Sequence, residues 1–138
     1  MKTFTKLALA CTVAVGSLSV GQVFAHHSAA MFDDAKEVVM TGVVTKFDYL
    51  NPHSWLFIDV AQEDGTTAAW GFELAAPPRL QRIGVGPQNW VPGDLIVVKG
   101  NPLRDGRAAG NLVGAIKVDG ATFGNVEGLD APSAEAAK

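Results

Sequence analysis

Between residues 37 and 118 apolar and polar positions alternate in short bursts with a period of two, the period of half-buried strands. Residues 37–49 are rich in β-branched and aromatic side chains and predict a first strand, with Gly42 placed where such a strand bulges or bends. Asn51-Pro52-His53-Ser54 ends it. In residues 55–60, Leu56, Ile58 and Val60 share one face while Phe57 and Asp59 share the other, which predicts a second strand. Glu63-Asp64-Gly65-Thr66 is turn chemistry, and beyond it Trp70, Phe72 and Leu74 alternate with Ala69, Gly71 and Glu73, so strands two and three are expected as a hairpin. Ala76-Pro77-Pro78 leads into residues 79–83, a short helix closed by Gly84. Pro92-Gly93-Asp94 launches a fourth strand over residues 95–99, and Arg104-Asp105-Gly106-Arg107 turns the chain into a fifth over residues 112–118.

The order β-β-β-α-β-β makes the chain all-β with one short helix. It is that of a small five-stranded Greek-key barrel of the oligonucleotide/oligosaccharide-binding (OB) type, assigned to residues 37–123. An open five-stranded sheet with a helix on one face would yield the same string, so closure is an inference from the Gly42 bend.

The amino terminus follows a different pattern. Lys2 and Lys6 precede an apolar run that fades after about Val20, and Val23-Phe24-Ala25 puts small residues at the minus-three and minus-one positions of a cleavage site. Residues 1–25 therefore read as a cleaved signal peptide, the mature chain as starting at His26, and the protein as periplasmic or secreted with no membrane span after cleavage. Gly16, Ser17, Ser19, Gly21 and Gln22 weaken the run below the roughly 20 apolar residues that a spanning helix needs. Residues 26–36 form an amino-terminal segment, and residues 124–138, with too little apolar surface to fold, are expected to be a disordered tail.

Composition narrows the possibilities. The whole chain carries 11 basic and 14 acidic residues, and loss of Lys2 and Lys6 with the leader makes the exported part more acidic still. Its four arginines are scattered between Arg79 and Arg107, which argues against nucleic acid as a partner, since phosphate affinity needs clustered cations. The only cysteine, Cys11, lies in the leader, so the exported domain depends on packing rather than disulfides.

His26-His27-Ser28, Met31-Phe32-Asp33, Gly42-Val43-Val44, Asn51-Pro52-His53-Ser54-Trp55, Trp70 with Glu73, Arg79-Leu80, Pro92-Gly93-Asp94 and Asp105-Gly106 form a pattern spread over nearly the whole mature chain. In this pattern the chain resembles a family of small exported bacterial proteins catalogued as a domain of unknown function. The resemblance implies an exported OB-like domain and no biochemical role.

The three histidines carry the candidate chemistry. His26 and His27 stand at the expected new terminus, and His53 lies in the loop between strands one and two. A terminal histidine offers an α-amine that is partly unprotonated near neutrality, besides its imidazole. With a second imidazole from His27 or His53, that nitrogen-rich set suits Cu(II), and Met31 could add a thioether for Cu(I). The bland reading is that His26 and His27 are a flexible leader and that His53 bonds backbone groups in a tight loop. Trp55, on the parity of Phe57 and Asp59, is expected to show an edge, whereas Trp70 is expected to be buried. Glu73 and Asp59 read as acids on solvated faces.

No nucleophile elbow, nucleotide-binding glycine loop or mature-chain cysteine is present, so the chain reads as a non-enzyme. The first functional expectation is a periplasmic copper-binding accessory or homeostasis protein that uses His26, His27 and His53. The alternative is an interaction module that binds another envelope protein or a small ligand without metal, through a surface including Trp55, Arg104 and Arg107. A copper-dependent oxidase built on the terminal histidine comes third.

Overall fold

The computed structural model describes residues 29–133. A 3-10 turn, Ala29–Met31, leads to β1 (Val38–Asp48), β2 (Ser54–Ala61), β3 (Thr67–Leu74), α1 (Pro77–Arg82), β4 (Leu95–Pro102), β5 (Ala109–Lys117) and β6 (Thr122–Gly124). The leader, His26, His27 and residues 134–138 lie outside the described residues.

β1 is long enough to belong to both halves of the sheet. Val38 to Val43 pair antiparallel with β4, and Val43 to Asp48 pair antiparallel with β2. β2 and β3 form the expected hairpin, with Ser54 opposite Leu74 and Ala61 opposite Thr67. β5 returns antiparallel to β4 and lies parallel to β3, with Gly71, Phe72 and Glu73 against Ala109, Gly110 and Asn111. This last pairing closes the five strands into a Greek-key barrel, which is the expected architecture, and β6 adds a short antiparallel strand outside β5.

β1 changes partner beside Gly42, at Val43, which pairs with both Leu95 and Asp59, and the one irregularity in its register falls further on, between Val44 and Lys46. Gly42 is required because a Cβ there would meet the Asp59 carbonyl oxygen at 2.7 Å and the Ile58 side chain at 3.0 Å. Adjacent backbones pass too closely for any side chain at that point.

The inward parity of each strand fills the barrel. Val44, Leu56, Ile58, Phe72, Ile96 and Val98 are almost wholly removed from water, and Leu80 of α1 plugs one end. Each such burial contributes about 1.5–3 kcal/mol, which lets the domain hold together without a disulfide. Proline at the first positions of α1 and Gly84 just beyond it, at a φ of 81°, bound the helix as expected. Trp90 stands edge-on to Phe47 and Phe123, with centroids 4.9 and 5.4 Å away, and joins the core. Trp70 is only partly buried, packing against the core and stacking on Phe72.

Both ends of the described chain are tied to the barrel. Phe32 is buried and bridges to Leu103, while the Asp33 amide donates to the Pro102 carbonyl at 2.9 Å and the Arg104 amide to Met31 at 2.9 Å. At the other end, in the segment read from sequence as tail, the Asn125 amide donates to Val113 at 3.0 Å. There the buried Lys99 ammonium also donates to the Glu127 carbonyl, at 2.8 Å.

Candidate functional site

His53 emerges from the β1–β2 connection, just after Asn51-Pro52, whose peptide bond is cis. On the adjacent strand the register sets Glu73 beside Trp55 and, on its other side, beside Asn111 of β5. This places the Glu73 carboxylate within reach of the loop, where it accepts a hydrogen bond from Nδ1 of His53. The Glu73 side chain is 9 % exposed and that of His53 40 %, so the acid is covered and the ring reaches outward from it. Glu73 is thus not on a solvated face, as its alternation parity suggests. β5 covers the strand's other edge and removes the carboxylate from water.

A carboxylate held on Nδ1 fixes the tautomer and the ring plane and leaves Nε2 as the free nitrogen, the outer-shell arrangement usual for a metal-ligating histidine. It equally suits a hydrogen-bond acceptor. The pair opens into a pocket of about 420 Å³ at the end of the barrel covered by α1, with Leu74, Leu80 and Phe123 among its apolar lining and Arg79 and Asn111 among its polar lining. Phe32 and Asp34 line the same pocket, so the amino-terminal segment runs past its mouth.

Among the described residues, no three His, Cys, Asp or Glu side chains stand close enough to hold a metal ion. His53 is the only one of the three expected ligands within the described residues.

The residues expected to form a partner surface are divided. Trp55 and Phe57 lie half-buried on the outer face of β2, nearly parallel at 19° with centroids 6.1 Å apart. They line a slot of about 490 Å³ together with Gly71, against which both rings lie, and with Met31 and Arg107. Arg107 is additionally bound to Asp105 at 2.8 Å. Arg104 is not in this slot; its guanidinium reaches Asp33 at 3.4 Å and ties down the amino-terminal segment. The Asp33 carboxyl is held below its ordinary value by its hydrogen bond from Lys36, with the charges of Lys36 and Arg104 adding to the effect.

Glu73, Asn111 and Phe32 are the site residues that sequence reasoning overlooks. The available signal for Glu73 was its position one strand over from His53, which becomes meaningful only once the hairpin register is known.

Fold and pocket together define a small closed β-barrel protein with a carboxylate-oriented histidine at one end. The chain belongs to the family of unknown function DUF6152, which matches residues 14–112. No curated protein and no solved structure matches it.

Proposed function

We propose that this protein is an exported, non-catalytic metal-binding accessory protein, with copper as its metal, and that His53 supplies one ligand while the terminal His26, assisted by His27, supplies the others. The observation that carries this reading is the Glu73 carboxylate on Nδ1 of His53, which presents Nε2 as a ligand in a fixed orientation. The path of the chain supports it as well. Phe32 lines the His53 pocket, the Ala29–Met31 turn stands immediately before it, and the two residues from Ala29 back to His27 add a reach of up to about 7 Å. An amine and two imidazoles make a nitrogen-rich set of the kind that favours Cu(II).

The test is Cu(II) titration of protein beginning at His26, beside protein with one extra residue before it. The reading expects an altered visible spectrum and weaker binding in the extended form, and weaker binding again in His53→Ala. Equal behaviour of the two termini removes the α-amine from the site, and unchanged binding in His53→Ala removes the loop.

A second reading rests on the slot beside Trp55. Its near-parallel aromatic pair, with a glycine against the rings and an arginine in the lining, suits an interaction module that grips a flat apolar group of another envelope protein or a small ligand without metal. Trp55→Ala should abolish such binding and leave copper titration unchanged.

A further inference from the structure

The His53 pocket contains more than a metal-oriented imidazole. Asn111 lines it, half-buried, and its side-chain amide has no hydrogen-bond partner among the described residues. Arg79 lines it from α1 and forms no ion pair among the described residues, in contrast to Arg104 and Arg107, which both do. Opposite these donors the wall is apolar. Leu74, Leu80 and Phe123 belong to the core or pack against it, and Ile83 on the same lip is 63 % exposed. An apolar side chain left in water beside an unpaired cation and an unused amide has the composition of a ligand pocket: apolar walls, with a few polar groups that fix orientation.

Glu73 is already engaged by His53 and Asp34 is the second acid of the lining, so Arg79 is the unpaired cation left to meet a ligand; its guanidinium matches a carboxylate in geometry as well as charge, and the Asn111 amide offers a donor and an acceptor beside it. A volume of about 420 Å³ accommodates a single ring or a short aliphatic chain with its head group. We infer that this pocket binds a small amphipathic monocarboxylic acid, its carboxylate on Arg79 and Asn111 and its apolar body against Leu80, Ile83 and Phe123. The inference is independent of copper, although the two sites would share a mouth.

The test uses metal-free protein in the presence of a chelator, titrated with benzoate and octanoate and, in parallel, with benzamide and octanamide, and followed by NMR of the Leu80 and Ile83 methyl groups. Both acids should shift these methyls saturably, and the amides should bind about tenfold more weakly, the loss expected when one charge-assisted hydrogen bond goes. Arg79→Gln, a change at an exposed helix position, should weaken the acids about as much, leave the amides unaffected, and leave the thermal midpoint and the Cu(II) titration of the native terminus as they were. Absence of methyl shifts at millimolar acid, acids and amides binding alike, or undiminished acid binding in Arg79→Gln would each overturn the inference. Because the chelator removes metal, failure of the copper reading would appear only in the Cu(II) titration.

Discussion

At the residue scale the site turns on one hydrogen bond. Nδ1 of His53 donates to a carboxylate that is mostly shielded from water, and a covered anion orients its partner more firmly than an exposed one, because it has few competing donors. Glu73→Ala should release the ring. The expected outcome is a loss of the Nδ1–H tautomer in the imidazole ¹⁵N spectrum of the neutral ring and, if copper binds as proposed, an affinity lower by about 10- to 100-fold, as for other outer-shell partners. A tautomer unchanged in the variant would show that the loop itself sets the ring. Steric control is as local at Gly100. A Cβ there would meet the Asn111 carbonyl oxygen at 2.7 Å and the Phe72 ring at 2.7 and 2.9 Å. Neither a strand carbonyl nor a packed ring can yield easily, so Gly100→Ala should cost about 1–3 kcal/mol. At Gly86 the nearest atom is the Asn89 side-chain oxygen, 3.9 Å away, and alanine should change stability by less than about 0.5 kcal/mol. Urea unfolding of the two variants beside the parent measures both.

At the element scale, α1 owes its position to contacts beyond its own six residues. A helix of under two turns has little stability of its own. Leu80 anchors it from below, and the Tyr49 hydroxyl, just beyond β1, lies 3.1 Å from the Pro77 carbonyl and 3.0 Å from that of Val85, so that its one O–H can donate to either and tie the helix to the chain on both sides of it. Since α1 and its C-cap supply Arg79 and Ile83 to the pocket, Tyr49→Phe should cost about 1 kcal/mol and loosen that wall first. Faster amide exchange at Leu80 and Val85 than in the barrel strands would register it; uniform change throughout the domain would mean that the hydroxyl serves global stability instead. The strands themselves were legible because alternation is local. Leu56, Ile58 and Phe72 can be assigned to the interior from parity alone. The same rule misplaces Glu73, because parity says which side of the sheet a residue takes and nothing about what covers that side. Trp70 shows the converse: it has inward parity, yet near the open end of β3 its indole is only partly buried.

At the scale of the whole molecule, closure and the amino-terminal clamp both depend on contacts far apart in sequence. β3 meets β5 across more than thirty intervening residues, and no local pattern in either strand encodes that parallel pairing. The clamp is as remote. Phe32 rests on Leu103, and Asp33 reaches forward to Arg104 as well as to the nearby Lys36, so the segment carrying the candidate terminal ligands is fastened beside the β4–β5 turn before it passes the His53 pocket. Fastening raises the local concentration of whatever precedes it. If copper binds as proposed, Phe32→Ala should therefore weaken that binding in protein beginning at His26, while leaving the weaker binding of terminally extended protein nearly unchanged. Acid acts on the same clamp. The Asp33 carboxyl is held below its ordinary value of 3.8, first by the Lys36 hydrogen bond and then by the nearby cations. A carboxyl lowered in the folded state contributes its stabilisation fully above the unfolded value and loses it as pH falls through the folded one. Lys36 and Arg104 are largely exposed, so the effect is modest and screened by salt. Amide exchange at Asp33 and Arg104 should accelerate relative to β2 as pH falls below about 3.8, and Asp33→Asn should show that acceleration already at neutral pH with little further change on acidification. If the variant keeps the acid response of the parent, the clamp is governed by Phe32 burial alone and the ion pairs are incidental.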